Sequence, residues 1–212
     1  MPLERSKLGN WLLICLILLA AGWGMWQGQR LMRGDFSAIQ ARYRIDTWVA
    51  GSAKWTVPEW VQARDDLLAA AEIMPDNPLT FDYLGILNTL RGQRGWNEPS
   101  LRKGYFGEAM GYQQTSLRLR PQNGAAWSNL ALSFYALGDH AGAAASLEQA
   151  LKYGPYELGV KKLSADLVLA MWPDMPPSLQ QWLQALYRTS QPWERQVLEK
   201  LAKNYGHPDV LK

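Results

Sequence analysis

From Leu8 to Gln29 the chain runs for 22 positions without a charged side chain. A helix rising about 1.5 Å per residue needs about 20 such residues to cross the roughly 30 Å hydrocarbon core of a bilayer. The centre of the run reads WLLICLILLAAGWGMW, with Trp11 near one end and Trp23 and Trp26 near the other. Indoles favour those two levels because the ring stays in apolar surroundings while its N–H reaches the headgroups. The expectation is a membrane anchor over residues 1–33 with a short cytoplasmic tail. A cleaved signal peptide is the competing reading, because Ala20-Ala21-Gly22 places small residues behind an apolar stretch. Trp23, Met25 and Trp26 favour the anchor, since they prolong the apolar stretch past any cut. Cys15 lies mid-span behind Leu13 and Ile14, where it reads as a small apolar side chain.

The anchor also accounts for the charge. Arg5, Lys7, Arg30 and Arg33 stand against Glu4 in residues 1–33 and carry the whole formal +3, leaving 18 basic and 18 acidic residues from Gly34 to Lys212. A neutral body lacks the field that drives phosphate binding, so nucleic acid is excluded as a partner. One Cys and two His are too few for a structural zinc site or an iron–sulfur cluster, and no cofactor or metal is expected. The basic flanks of the span nearly cancel as topology signals. Because long domains translocate largely regardless of charge, the reading is a single-pass bacterial inner-membrane protein with its C-terminal domain in the periplasm. A body without cysteine is compatible with that oxidising compartment.

The rest of the chain repeats. Within the 34 residues Gly124–Glu157, Trp127, Leu130, Ala131 and Phe134 stand at i, i+3, i+4 and i+7, one face of a helix. Ala143, Leu147, Ala150 and Leu151 make a second stripe. Gly138 breaks the chain between them, Asp139 can cap the second helix, and Pro155 ends the unit. Ala63, Leu67 and Ala70 precede Pro75 at the offsets that Ala143, Leu147 and Ala150 keep from Pro155. Phe81, Leu84 and Gly85 then open another first helix, with Gly92 at its turn. There the period slips: Ala109 comes twelve residues late, so an insertion from about Gly92 to Gly104 separates the two helices. A first helix is expected in Phe36–Val49 and a further one in Tyr156–Trp172. Two final helices are expected in Ser178–Arg188 and Pro192–Tyr205, followed by a fraying tail over 206–212.

With Trp127, Leu130, Ala131, Phe134, Gly138, Ala143, Leu147, Ala150 and Pro155 in register, the chain resembles the tetratricopeptide repeat (TPR) family. The resemblance implies a TPR-like α-solenoid of about three to four helix pairs over 34–205, so the expected fold is all-α, with the solenoid following the N-terminal transmembrane helix. It also implies a groove lined by the first helices that holds peptides or partner helices. The family's groove positions map to Asp82, Tyr83 and Ile86, to Ser128, Asn129, Leu132 and Tyr135, and to Lys162 and Asp166. Of these only Asn129 and Lys162 suit the family's carboxylate clamp.

No catalytic constellation emerges. His140 beside Asp139 reads as a polar pair at the turn, His207 lies near the terminus, Asp65-Asp66 sits on a solvated face, and Gly22, Gly24 and Gly28 follow no strand. Two interaction features remain. Ala20, Gly24 and Gly28 put one small-residue face on the membrane helix. Arg91, Arg94, Trp96, Arg102 and Lys103, with Tyr105, Phe106, Arg118 and Arg120, make a basic, aromatic patch at the insertion, suited to acidic glycan or anionic lipid. A short anchor followed directly by degenerate repeats resembles accessory proteins of envelope polysaccharide biosynthesis and export. The expectation is therefore a non-enzymatic membrane-anchored scaffold that binds protein partners in the inner membrane or periplasm. The alternatives are a carbohydrate- or lipid-binding module using the insertion and an accessory of periplasmic cytochrome maturation.

Overall fold

The structure is a computed structural model that describes residues 3–95 and 97–211, with side chains from Asn10 onward. The described residues form nine α-helices and one 3-10 turn, with no strand. They fall into two compact units, Met1–Asp76 and Asn77–Lys212.

The first unit is a helical hairpin. Helix α1 runs Leu3–Val49 without a break, through both the apolar run and the helix expected at Phe36–Val49. It is long and apolar enough to cross a membrane, and every described residue from Asn10 to Trp26 is exposed. Helix α2, Val57–Ile73, starts at a capping box. The Thr56 hydroxyl accepts from the Glu59 amide, and the Glu59 carboxylate accepts from the Thr56 amide at 2.8 Å, while Pro58 pre-sets the first turn. Gly34 meets Met74 at one end and Trp48 meets Trp55 at the other, so α2 runs antiparallel to α1. Arg30, the first charge past the apolar run, donates from Nε to the Ile73 carbonyl at 2.8 Å and pairs with Asp76 at 2.9 Å. A cation suits the unsatisfied carbonyls of a helix C-terminus.

The second unit contains α3 (Pro78–Arg94), α4 (Pro99–Leu119), α5 (Gly124–Ala136), α6 (His140–Tyr153), α7 (Leu158–Ala170), α8 (Pro177–Thr189) and α9 (Pro192–Asn204). Every start but that of α7 carries local punctuation. Asn77, Asn123 and Asp139 cap α3, α5 and α6 through their side chains, and Pro stands in the first turn of α3, α4, α8 and α9. Helices α3 and α4 pack antiparallel: Gly92 lies against Phe106, Gly85 against Gln113, and Asp82 against Ser116. Helices α5 and α6 do the same, with Gly124 against Gly154 at one end and Gly142 against Phe134 near the turn.

The insertion is built as helix, which corrects the expectation of a separate segment between helices. Helix α3 is four residues longer than α5, α4 is seven longer than α6, and the connection is one residue longer. Together these account for the twelve-residue slip. Gly92 therefore sits buried inside α3 under the Phe106 ring, not at a turn, and Phe106 is core. Near the C-terminus, Val210 and the buried Leu211 also pack on the core of α5–α9, against the expectation of a fraying tail. Gln184 donates to the Val210 carbonyl at 3.2 Å. Trp127 is only half-buried, with its indole N–H on the Pro121 carbonyl at 2.8 Å.

Glycine substitutions separate close approach from turn geometry. A Cβ on Gly124 would lie 2.6 Å from the Gly154 backbone nitrogen, so Gly124→Ala is expected to destabilise by about 1–3 kcal/mol despite alanine's better helix propensity. Gly138 has φ +84° in open space, so Gly138→Ala is expected to cost about 1 kcal/mol through backbone strain alone. Gly107, in a helix with nothing nearby, is expected to gain up to about 1 kcal/mol as alanine. Urea unfolding of the three variants checks both order and sign.

Candidate partner-binding surface

Within the second unit a groove of about 550 Å³ is lined by α7, α8 and α9. It exists because α9 carries more apolar surface than the core uses. Trp193, Val197, Leu198, Leu201 and Ala202 form a wide stripe on α9. Leu198 and Ala202 turn into the core, whereas Trp193 and Val197 stay 61% and 58% exposed. Leu158 and Leu163 of α7 and Leu186 of α8 complete the apolar lining. Lys161, Lys162, Asp166 and Glu194 supply polar positions of both signs. Leu158 is itself 56% exposed, so large apolar side chains of two different helices reach solvent at one concave place. A concave apolar lining with a few charged groups is the usual build of a site for a partner's side chains.

One polar contact involves a residue of the groove. The Tyr205 hydroxyl donates to the Asp166 carboxylate at 3.0 Å. Burial raises the Asp166 carboxyl above the usual carboxylate range, and the Tyr205 hydrogen bond only partly offsets it. Burial also pushes the Tyr205 phenol up strongly, reinforced by Asp166 and then by Tyr135. Tyr135 stacks on His140 at 6.2 Å, and His140 Nδ1 lies 2.9 Å from the Asp174 carboxylate. His140 thus bridges to Asp174 rather than to its neighbour Asp139, whose carboxylate caps α6.

The residues assigned to one groove separate by role. Lys162 and Asp166 line the concavity just described. Tyr135 and Leu132 are half-buried against the core of α5–α9, and Asn129, Tyr83 and Ile86 are half-buried elsewhere on α5 and α3. Ser128 is buried and donates to the Ala125 carbonyl at 2.9 Å, which removes it from any surface. Asp82 is a cross-link: its carboxylate accepts from the Ser116 hydroxyl, from Arg120 at 2.9 Å and from Asn123 at 2.8 Å. Burial nevertheless raises its carboxyl above the ordinary value, with those donors opposing the shift.

In the basic patch, Arg91 stacks over Tyr105 at 5.5 Å, Arg94 and Lys103 are exposed, and Arg102 is half-buried. Trp96 lies outside the described residues. Ala20 and Gly24 are exposed on α1 and Gly28 is half-exposed, with open space where a Cβ on either glycine would stand. Among the described residues no cluster of three or more His, Cys, Asp or Glu side chains has the arrangement of a metal site. Sequence reasoning missed Trp193, Val197 and Leu158. The available signal was the width of the α9 stripe, which exceeds what one neighbouring helix can cover.

No family model matches this chain, and no curated protein does.

The raised Asp166 carboxyl gives a signed pH effect. In the window between its unfolded and folded pKa the folded state binds more proton, so this group's contribution falls as pH rises through the folded value and returns on acidification. Asp166→Asn keeps an acceptor for Tyr205 without a charge. The variant is expected to be at least as stable as the parent at pH 7.5 and to lose part of the parent's gain on moving to pH 5, read by urea unfolding at both values.

Proposed function

We propose that the protein is a membrane-anchored, non-enzymatic scaffold whose body is a TPR-like array of helix pairs. The pairs α3–α4 and α5–α6 are antiparallel hairpins. Asn77 and Asn123, each two residues after a proline, cap α3 and α5. In this reading the chain sits in a bacterial inner membrane with its body in the periplasm. It holds a protein partner there, in an assembly of the kind that makes or exports envelope polysaccharide. The observation that carries the binding role is the groove of α7–α9, where Trp193, Val197 and Leu158 present apolar surface that the fold does not use. Its occupant is an amphipathic segment of the partner, with aliphatic anchors toward Leu163, Leu186 and Leu201 and charges toward Lys162 and Glu194.

Two experiments test the reading. The protein should remain with membranes through alkaline carbonate and high salt, because burial of the span outweighs screened surface contacts. Recovery of a soluble form beginning near Trp23 would refute the anchor. Val197→Glu places a charge at the groove without touching the core. It is expected to weaken recovery of the partner from solubilised membranes by about 30-fold, the loss that goes with a hot spot of about 2 kcal/mol. Undiminished recovery of that partner with a folded Val197→Glu chain would rule the groove out.

A further inference from the structure

Beyond Arg30, α1 is apolar on two opposite faces. Gly34, Ala38, Ala41, Ile45 and Trp48 are buried, on the face of the hairpin's other helix. Met32, Phe36, Ile39 and Tyr43 each stand two residues before one of the first four, which turns the helix by about 200°. These four are exposed, Phe36 by 82% and Tyr43 by 71%. A helix apolar on both sides belongs between two neighbours, and an end element of a helical stack ordinarily shows water a polar face. Here one neighbour is α2 and the other place is vacant.

Lipid does not fill it beyond Met32, which at about 4.5 Å past Gln29 is still at headgroup level. The apolar run ends at Gln29, and Arg30 at that level is bound to the Ile73 carbonyl and Asp76. At about 1.5 Å per residue Ile39 stands about 15 Å and Tyr43 about 21 Å further along, beyond a headgroup layer of about 5–8 Å. A tilt of about 20° shortens these distances by only about 6%.

We propose that the Met32–Phe36–Ile39–Tyr43 stripe is a parallel self-association seam, filled by the same stripe of a second copy. The inference goes beyond partner binding and rests only on the anchored reading of α1. Spacings of four, three and four are the seam of a coiled coil, and insertion in one membrane forces every copy into the same direction and height. A two-fold pair then sets each residue against itself, and all four are uncharged. The flanks are also self-compatible. Asp35 of one copy faces Gln40 of the other, Arg42 faces Thr47 and Gly28 faces Arg33, so no like charges meet along the flanks; the seam ends at Tyr43, because the next position of the register is Asp46. Asp35 and Arg42 already pair within the chain along that flank. Cys15 lies on the same heptad track inside the span and is replaced in the test so that it does not report.

The test uses the full chain in native membranes with Cys15→Ser. Single substitutions Phe36→Cys, Ile39→Cys and Tyr43→Cys lie on the seam, and Ser37→Cys and Arg44→Cys lie off it. Mild copper-phenanthroline oxidation should give a covalent product of twice the chain mass at seam positions, at least fivefold above the flank positions. Equal yields at all positions, no product, or a product containing a different protein would overturn the proposal. Independently, Ile39→Glu with Tyr43→Glu should abolish energy transfer between labelled copies, with carbonate resistance and helical signal unchanged; persistent transfer would also overturn it. Carbonate extraction of the parent chain reports separately on anchoring, and partner recovery by the Ile39→Glu, Tyr43→Glu chain reports separately on the groove.

Discussion

Small side chains at helix crossings are the constraint on which the packing depends. Ala38, Ala41, Ala63, Ala70, Ala109, Ala131, Ala143 and Ala150 are all completely buried. At Gly124 the contact is tighter still, with the Gly154 backbone where a side chain would be. When helices approach this closely, the volume left for a core is thin and is filled by a few large residues such as Phe106, Leu67 and Leu147. Polar groups are then drawn into the same narrow space, where only part of their bonding capacity is met. Ser133 donates to Gln113 across α5 and α4 at 2.9 Å, and Gln113 lies directly over Gly85.

The charged residues that matter to the fold act as joints between distant segments. Arg30 reaches 43 residues along the chain to the last carbonyl of α2. Asp82 gathers Ser116, Arg120 and Asn123, which lie 34 to 41 residues away, and so ties the start of α3 to the end of α4 and the turn before α5. Such buried carboxylates are held by what surrounds them, and truncating one donor would leave the others facing an underpaired charge. An aspartate on the presumed binding face is thus consumed by architecture.

That distinction explains how far the sequence could be read. The start of α6 was legible because its cause is local, Asp139 before His140; Thr56 with Glu59, Asn77 before Pro78 and Asn123 before Gly124 also act within three residues but were not read as caps. The second-helix alanines were legible because their spacing is periodic, and all of them are buried. Gly92 was misplaced because a glycine that admits an aromatic ring and a glycine that ends a helix look the same in one dimension. The groove was not legible, since burial of Leu198 and exposure of Val197 differ by one residue on the same stripe and are decided by where α7 and α8 stop covering α9. Ser128 shows the converse, a polar residue on the expected face that is buried on its own helix.

The unbroken course of α1 also has a mechanical meaning. It is about 70 Å of continuous helix, and beyond the apolar run its one glycine, Gly34, lies against the Met74 side chain. Trp48 stands about 27 Å along the axis from Arg30 and is braced against Trp55. In the anchored reading proposed above, the span and the first helix of the hairpin are therefore one element, so the tilt of the span sets the direction in which the hairpin points.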